Sequence, residues 1–127
     1  MTDTVAFSVR NLVKEFPGRN GAPPLRVIKG LDLTVRQSEF ICILGPSGCG
    51  KSTFLNILSG LDRQYGGEID VGGKTFRGGK PPMRIGYLFQ EPRLLPWLTA
   101  EQNVDFATTS CNVAPARRKE LRDRYFV

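Results

Sequence analysis

Gly45-Pro46-Ser47-Gly48-Cys49-Gly50-Lys51-Ser52-Thr53 decides how the rest of the chain is read. The stretch fits the phosphate-binding loop template G-x-x-x-x-G-K-[ST], which average residue frequencies satisfy by chance in roughly one chain of this size in a hundred. The template has a mechanical basis. Glycines at 45, 48 and 50 let the backbone turn tightly and bring successive N–H groups close to an anion. A helix that follows points its positive end at the same place. On this reading Lys51 reaches the β- and γ-phosphates of a nucleotide, and the Ser52 hydroxyl serves Mg2+. The flanks agree. Phe40-Ile41-Cys42-Ile43-Leu44 predicts a strand running into the loop, and Thr53 to Leu61 carries a helical pattern leaving it. The plainer reading, a Gly-rich turn in an ordinary α/β unit, does not account for Gly, Lys and Ser standing together.

Around that stretch, 127 residues with 40% hydrophobic and 24% charged side chains amount to one domain at most, of a soluble globular kind. The longest apolar runs are short, and Met1-Thr2-Asp3-Thr4 has neither a basic nor an apolar leader region, so a cytosolic chain is expected. Three cysteines, Cys42, Cys49 and Cys111, lack metal-like spacing and are expected as reduced thiols, Cys42 within a buried strand pattern. A formal charge of +6 with no histidine raises the question of a nucleic-acid partner. The densest basic cluster, Arg117 to Arg124, is interrupted by Glu120 and Asp123 and reads as the solvated face of a helix, so no nucleic acid is expected.

In chain order, Val5 to Phe16 alternates as a strand that Pro17-Gly18 ends. Phe16 has two readings that spacing leaves open: a ring packed on the sheet, or an exposed ring on which a flat base stacks. Leu25 to Ile28 and Leu31 to Val35 read as two extended arms around Lys29-Gly30. After the loop-bearing helix, Gly60 is a stop signal, Glu68 to Val71 a short strand, and Gly72-Gly73 the turn of a hairpin with Lys74-Thr75-Phe76. Met83 to Phe89 predicts a strand buried on both faces, ending at Gln90. Pro92 and Pro96 make Glu91 to Leu98 an ordered loop. Thr99 and Gln102 form a capping-box pattern for a helix through about Ala107, and Pro115 starts a last helix with Leu121 and Tyr125 on one face.

Taken as a set, these residues resemble the N-terminal half of the ATP-binding subunit of an ABC transporter. The likeness is carried by Gly45 to Thr53, by Gly67-Glu68-Ile69, and by Gly86-Tyr87-Leu88-Phe89-Gln90-Glu91-Pro92-Arg93-Leu94-Leu95-Pro96-Trp97 leading into Thr99 to Val104. That last run is similar to the importer branch for nitrate, sulfonate and taurine. The resemblance implies an α/β fold: a P-loop NTPase core of the ABC ATPase kind with an antiparallel β subdomain, truncated within the helical subdomain. Residues 1–127 would form a partial nucleotide-binding domain, with the P-loop at 45–53, the Q-loop region at 86–97 and the start of a helical subdomain at about 99–127. It implies ATP and Mg2+ as cofactors. Gly45, Pro46, Ser47, Gly48, Cys49, Gly50, Lys51, Ser52 and Thr53 would hold the triphosphate. Gln90, otherwise a surface amide at a strand end, would touch Mg2+ or the attacking water beside Ser52. Phe16 falls where the family stacks an aromatic on adenine. Leu94, Leu95 and Trp97 are either local packing or part of a surface that meets a transmembrane permease. A second ATP-binding subunit is the other implied partner, and the implied location is cytoplasmic, on the inner face of the cell membrane.

Departures from the family pattern shape the expected activity. Complete members carry a Leu-Ser-Gly-Gly-Gln-like signature, an apolar strand ending in Asp and a catalytic Glu, and a switch histidine. This sequence has none of them; Leu58-Ser59-Gly60-Leu61 lacks the second glycine and the glutamine. Positioning and charge neutralisation are encoded while the groups that complete the metal site and orient water are not, so Lys51 and Gln90 contribute to a catalytic set that is incomplete. The expectation is a truncated chain that binds nucleotide weakly, hydrolyses almost none, exposes buried-type strands such as Phe40 to Leu44, and tends to associate. Alternatives are a non-catalytic remnant that docks on a permease, or a small P-loop metabolite kinase. Thiol modification of Cys49 is expected to block nucleotide.

Overall fold

The computed structural model describes residues 4–91 and 93–125. Pro92 of the quoted run and the last residues of the expected final helix, Phe126 and Val127, lie outside the described residues. The chain divides into two compact units at Tyr87 and Leu88.

The first unit is built on four antiparallel strands in the spatial order β2-β1-β3-β4: β1 Val5–Phe16, β2 Leu25–Arg36, β3 Gly66–Val71 and β4 Lys74–Phe76. Helix α1, Lys51–Ser59, lies in the core formed with them. Its apolar residues Phe54, Ile57 and Leu58 fall three and four apart, on one helical face. They bury against Val9, Leu12, Ile28 and Ile69 of the strands. Each such aliphatic or aromatic side chain removed from water contributes about 1.5–3 kcal/mol before the cost of ordering it. Gly60 then ends α1 in the left-handed conformation, as its position predicts.

Register irregularities along β1 set which of its residues are buried. In a regular strand Val9 and Leu12, three apart, would point to opposite faces. Here the β1–β2 register shifts between Val9 and Leu12, so both are buried. On β2 the same irregularity takes up Gly30 at φ 99°, and a backbone N–H bond from Asn11 to Asp32 Oδ1, 2.8 Å, fastens it. The two arms expected around Lys29-Gly30 are therefore one continuous bulged strand. On the other edge, β1 meets Gly67 of β3 so closely that a Cβ at that position would lie 2.2 Å from the Asn11 carbonyl oxygen. Only glycine fits.

The structure corrects two strand expectations. Phe40 to Leu44 and Met83 to Phe89 enter no ladder. Phe40, Leu44 and Leu88 are 93%, 86% and 97% exposed, and Cys42 is exposed instead of buried. The physical reason is that strands of this apolar, two-sided kind form only when flanked by partners that take up their backbone hydrogen bonds and cover both faces. The described residues supply no such partners. Tyr87 nevertheless anchors its segment, its hydroxyl donating to Asn56 Oδ1 of α1 at 2.9 Å.

The second unit holds helices α2, Ala100–Ser110, and α3, Pro115–Tyr125. Thr99 caps α2 reciprocally: the Gln102 N–H donates to Thr99 Oγ1 at 3.2 Å, and the Thr99 N–H to Gln102 Oε1 at 2.9 Å. With that start secured, α2 runs on past the expected end near Ala107 to Ser110. The Arg122 guanidinium of α3 ties the pair together, reaching Glu101 and Asp105 of α2 at 2.9 Å each. Tyr125 is exposed and Leu121 half-buried, so the apolar face expected of α3 is only partly used.

Candidate functional site

The site is the turn between Leu44 and α1. Gly48 and Gly50 adopt φ 80° and 102°, a left-handed geometry that side-chain-bearing residues rarely take. A Cβ at Gly48 would meet nothing within 4 Å, so this part of the loop faces open space. Gly50, by contrast, is pressed on β2: a Cβ there would lie 3.0 Å from Val27 Cγ1. The sheet therefore holds the loop at Gly50 while Gly48 stays clear, and at Gly45 the Cys49 side chain lies so near that a Cβ would sit 2.7 Å from its sulfur. Gly50 is also the N-cap of α1, without a side-chain cap bond, and the positive end of the helix meets the loop there.

Lys51 closes the arrangement. Its Nζ donates to the carbonyl oxygens of Gly45, at 2.6 Å, and Pro46, at 2.8 Å, and lies 3.5 Å from Cys49 Sγ. An ammonium has three donors, and two strong acceptors occupy two of them. The long side chain is thus fixed across the loop. Ser52 is exposed and Thr53 half-buried in the first turn of α1. The structure brings all the residues from Gly45 to Thr53 into this one turn.

A cleft of about 840 Å3 opens beside the loop, between Val27, Ile28 and Leu31 of β2, the segment Ile41 to Leu44, and Gly48 to Lys51. Most of its wall is aliphatic, with Arg26 and Lys29 of β2 and Lys51 of the loop edge as its charged residues. Phe16 stands at the end of β1 in the same unit, 39% exposed. Lys14, two residues before it, is buried, and its Nζ donates to Asp62 Oδ1 at 2.8 Å and to the Gln64 carbonyl at 2.6 Å. Burial pushes the Asp62 carboxyl up, but the Lys14 hydrogen bond, the Gln64 N–H and the Lys14 charge outweigh it and hold it below 3.8.

Gln90 belongs to the other unit, where it is exposed. Nearby Arg93 lies over the Phe89 ring, 5.3 Å from its centroid. The Leu94 and Trp97 side chains are exposed beyond it. Asn103 fastens that loop to α2: it accepts from the Leu95 N–H at 2.8 Å and donates to the Leu95, Leu98 and Thr99 carbonyls. Neither Lys14, Asp62 nor Asn103 stood out as a site-building residue in the sequence. The signal that finds Lys14 is a charged residue at a core-facing position of β1, visible only once the bulge is known. Among the described residues no group of three or more His, Cys, Asp or Glu side chains could hold a metal ion, and no helix is long and apolar enough to cross a membrane.

The model of the ABC transporter family matches residues 28–126. The chain belongs to the ABC transporter family. Among curated ABC-type relatives it is 41% identical over 117 residues to the aliphatic sulfonates import ATP-binding protein SsuB of Bacillus licheniformis, covering 92% of this chain and 44% of that protein. It is 44% identical over 119 residues to the putative ATP-binding protein BAB2_1147 of Brucella abortus, covering 94% of this chain and 43% of that one. The chain thus spans less than half the length of these curated relatives. Its fold matches that of the ATP-binding cassette MJ0796, solved as a dimer in a post-hydrolysis state bound to ADP and Pi, with a TM-score of 0.72 and 27% identity over 90% of this chain and 53% of that one. The α/β ABC ATPase class inferred from the sequence is the one the structure adopts.

Proposed function

We propose that this ABC-family chain binds ATP–Mg2+ through Gly45 to Thr53 as part of the ATP-binding subunit of an importer for a small oxyanion, of the sulfonate, nitrate or taurine kind. The observation that carries the reading is the Lys51 ammonium pinned across a left-handed glycine loop at the start of α1. Backbone N–H groups of the loop would cradle the phosphates, Lys51 would neutralise their outer oxygens, and Ser52 would offer its hydroxyl to Mg2+. Mg2+ usually keeps several waters and takes much of its shell from the nucleotide's phosphate oxygens, so the Ser52 hydroxyl would be one protein group among phosphate and water ligands. When bound, the ion would supply charge neutralisation on the phosphates. Phe16 would stack on the adenine. Sulfonate is favoured among the solutes because SsuB proteins recur among the relatives.

The complete subunit would couple ATP hydrolysis to transport, in a pair with a second copy and on a permease at the inner face of the membrane. The exposed Leu94 and Trp97 support the permease contact. These 127 residues alone would turn over almost no ATP, because the sequence provides neither an Asp-Glu pair after an apolar strand nor a histidine to complete the chemistry. A coupled phosphate-release assay on the purified chain is expected to stay at background with Mg2+–ATP. Turnover that Lys51→Ala abolishes would contradict that part of the reading.

Cys49 gives a second check. Its sulfur is exposed and adjoins Lys51 Nζ, at the edge where the phosphates would sit. Millimolar ATP is expected to slow its alkylation by a maleimide, followed by mass spectrometry, while Cys111 labels at an unchanged rate. Equal labelling of Cys49 with and without ATP would remove the nucleotide from this loop.

A further inference from the structure

β1 ends with a cation held under an aromatic ring. Lys14 and Phe16 stand two apart at the end of β1. The Lys14 side chain is 5% exposed, and its Nζ lies 4.8 Å from the centroid of the Phe16 ring. Asp62 and the Gln64 carbonyl hold that ammonium from the segment that follows α1. Phe16 is 39% exposed, so part of the ring remains open to solvent while Lys14 beside it is buried. Burying an ammonium costs desolvation energy that leucine or methionine at position 14 would avoid. Filling the core does not require this residue.

We propose that Lys14 is a positioning residue for Phe16, and that its ammonium orients and polarises the ring so that a purine base stacks on the opposite face. A cation against one face of a ring draws π density toward itself and makes the other face a better partner for an electron-rich purine. The two hydrogen bonds on Nζ stop the ammonium from drifting, so the ring keeps one orientation. The inference rests on the reading of Phe16 as the base-stacking residue and adds to it the group that sets the ring. It also gives the Lys14–Asp62 pair a role beyond holding β1 to the segment after α1.

The test compares Mg2+–ATP with inorganic tripolyphosphate, which offers the phosphates without the base, by calorimetry on the 127-residue chain. Lys14→Met is expected to lower the ratio of ATP to tripolyphosphate affinity about fivefold while leaving tripolyphosphate affinity unchanged. Lys14→Arg, which keeps a cation over the ring, is expected to recover most of it. Phe16→Ala is expected to lower the ratio roughly tenfold. If Phe16→Ala lowers the ratio and Lys14→Met does not, the positioning role is wrong and the stacking survives. If Phe16→Ala leaves the ratio unchanged, the stacking reading itself is wrong, and the role of Lys14 goes with it. Should Lys14→Met not fold, Asp62→Asn decides: it keeps the ammonium but weakens its anchor, so a reduced ratio supports the proposal and an unchanged one overturns it.

Discussion

Lys51→Ala is expected to weaken Mg2+–ATP binding roughly tenfold to a hundredfold, the range set by losing charge-assisted hydrogen bonds of about 1.5–3 kcal/mol. The same change should remove the rise in thermal midpoint that millimolar ATP gives the unaltered chain. Its effect on the free protein should be small. Lys51 is half-buried, and the partners it leaves behind, the Gly45 and Pro46 carbonyls, are exposed to water, which replaces the lost donor. Thermal shift with and without ATP separates the two effects. A variant that melts as the parent does without ATP and still gains the full midpoint shift with it would show that Lys51 does not meet the phosphates.

The largest stability effect is expected at Asp62. Its carboxylate faces a Lys14 side chain that is 5% exposed, and replacing it by alanine strands a buried ammonium on the Gln64 carbonyl and the Phe16 ring. Removing one partner of a buried pair is costly, and Asp62→Ala is expected to destabilise the chain by about 3 kcal/mol, read from urea unfolding. The pair also predicts a pH dependence. The folded carboxyl is held below its ordinary value of 3.8, so the unfolded chain binds the proton more readily. The stabilisation is therefore complete above that value and is lost as pH falls through the lower folded value. The gap in unfolding midpoint between the parent and Asp62→Asn should be widest near neutral pH and close below about pH 4. Parallel curves across that range would show that the ion pair contributes nothing.

The parts of the fold that sequence reveals are those fixed locally. Gly48 and Gly50 are needed because the loop turns through left-handed geometry, and Thr99 with Gln102 caps α2 through contacts three residues apart. Such patterns are complete within one stretch of chain. Phe40 to Leu44 and Met83 to Phe89 have strong strand composition but form no strand, because a ladder depends on neighbours that no local pattern encodes. The bulge between Val9 and Leu12 lies between these cases. Gly30 and Gly67 hint at it, yet only the pairing with β2 and β3 shows that it leaves Leu12 and Lys14 buried. For the same reason the glycine turn before α1 is legible in the sequence, while the Lys14–Asp62 contact is not. Its two halves are 48 residues apart and meet only in the folded chain.

If backbone amides at the start of α1 grip a triphosphate, as proposed, amide NMR of the 15N-labelled chain during a Mg2+–ATP titration shows it most directly. The predicted result is saturable shifts largest at Gly48 to Ser52, absent with adenosine alone and reproduced at those residues by tripolyphosphate. Amides of that turn staying fixed while ATP shifts others, or nothing shifting at millimolar nucleotide, would contradict it.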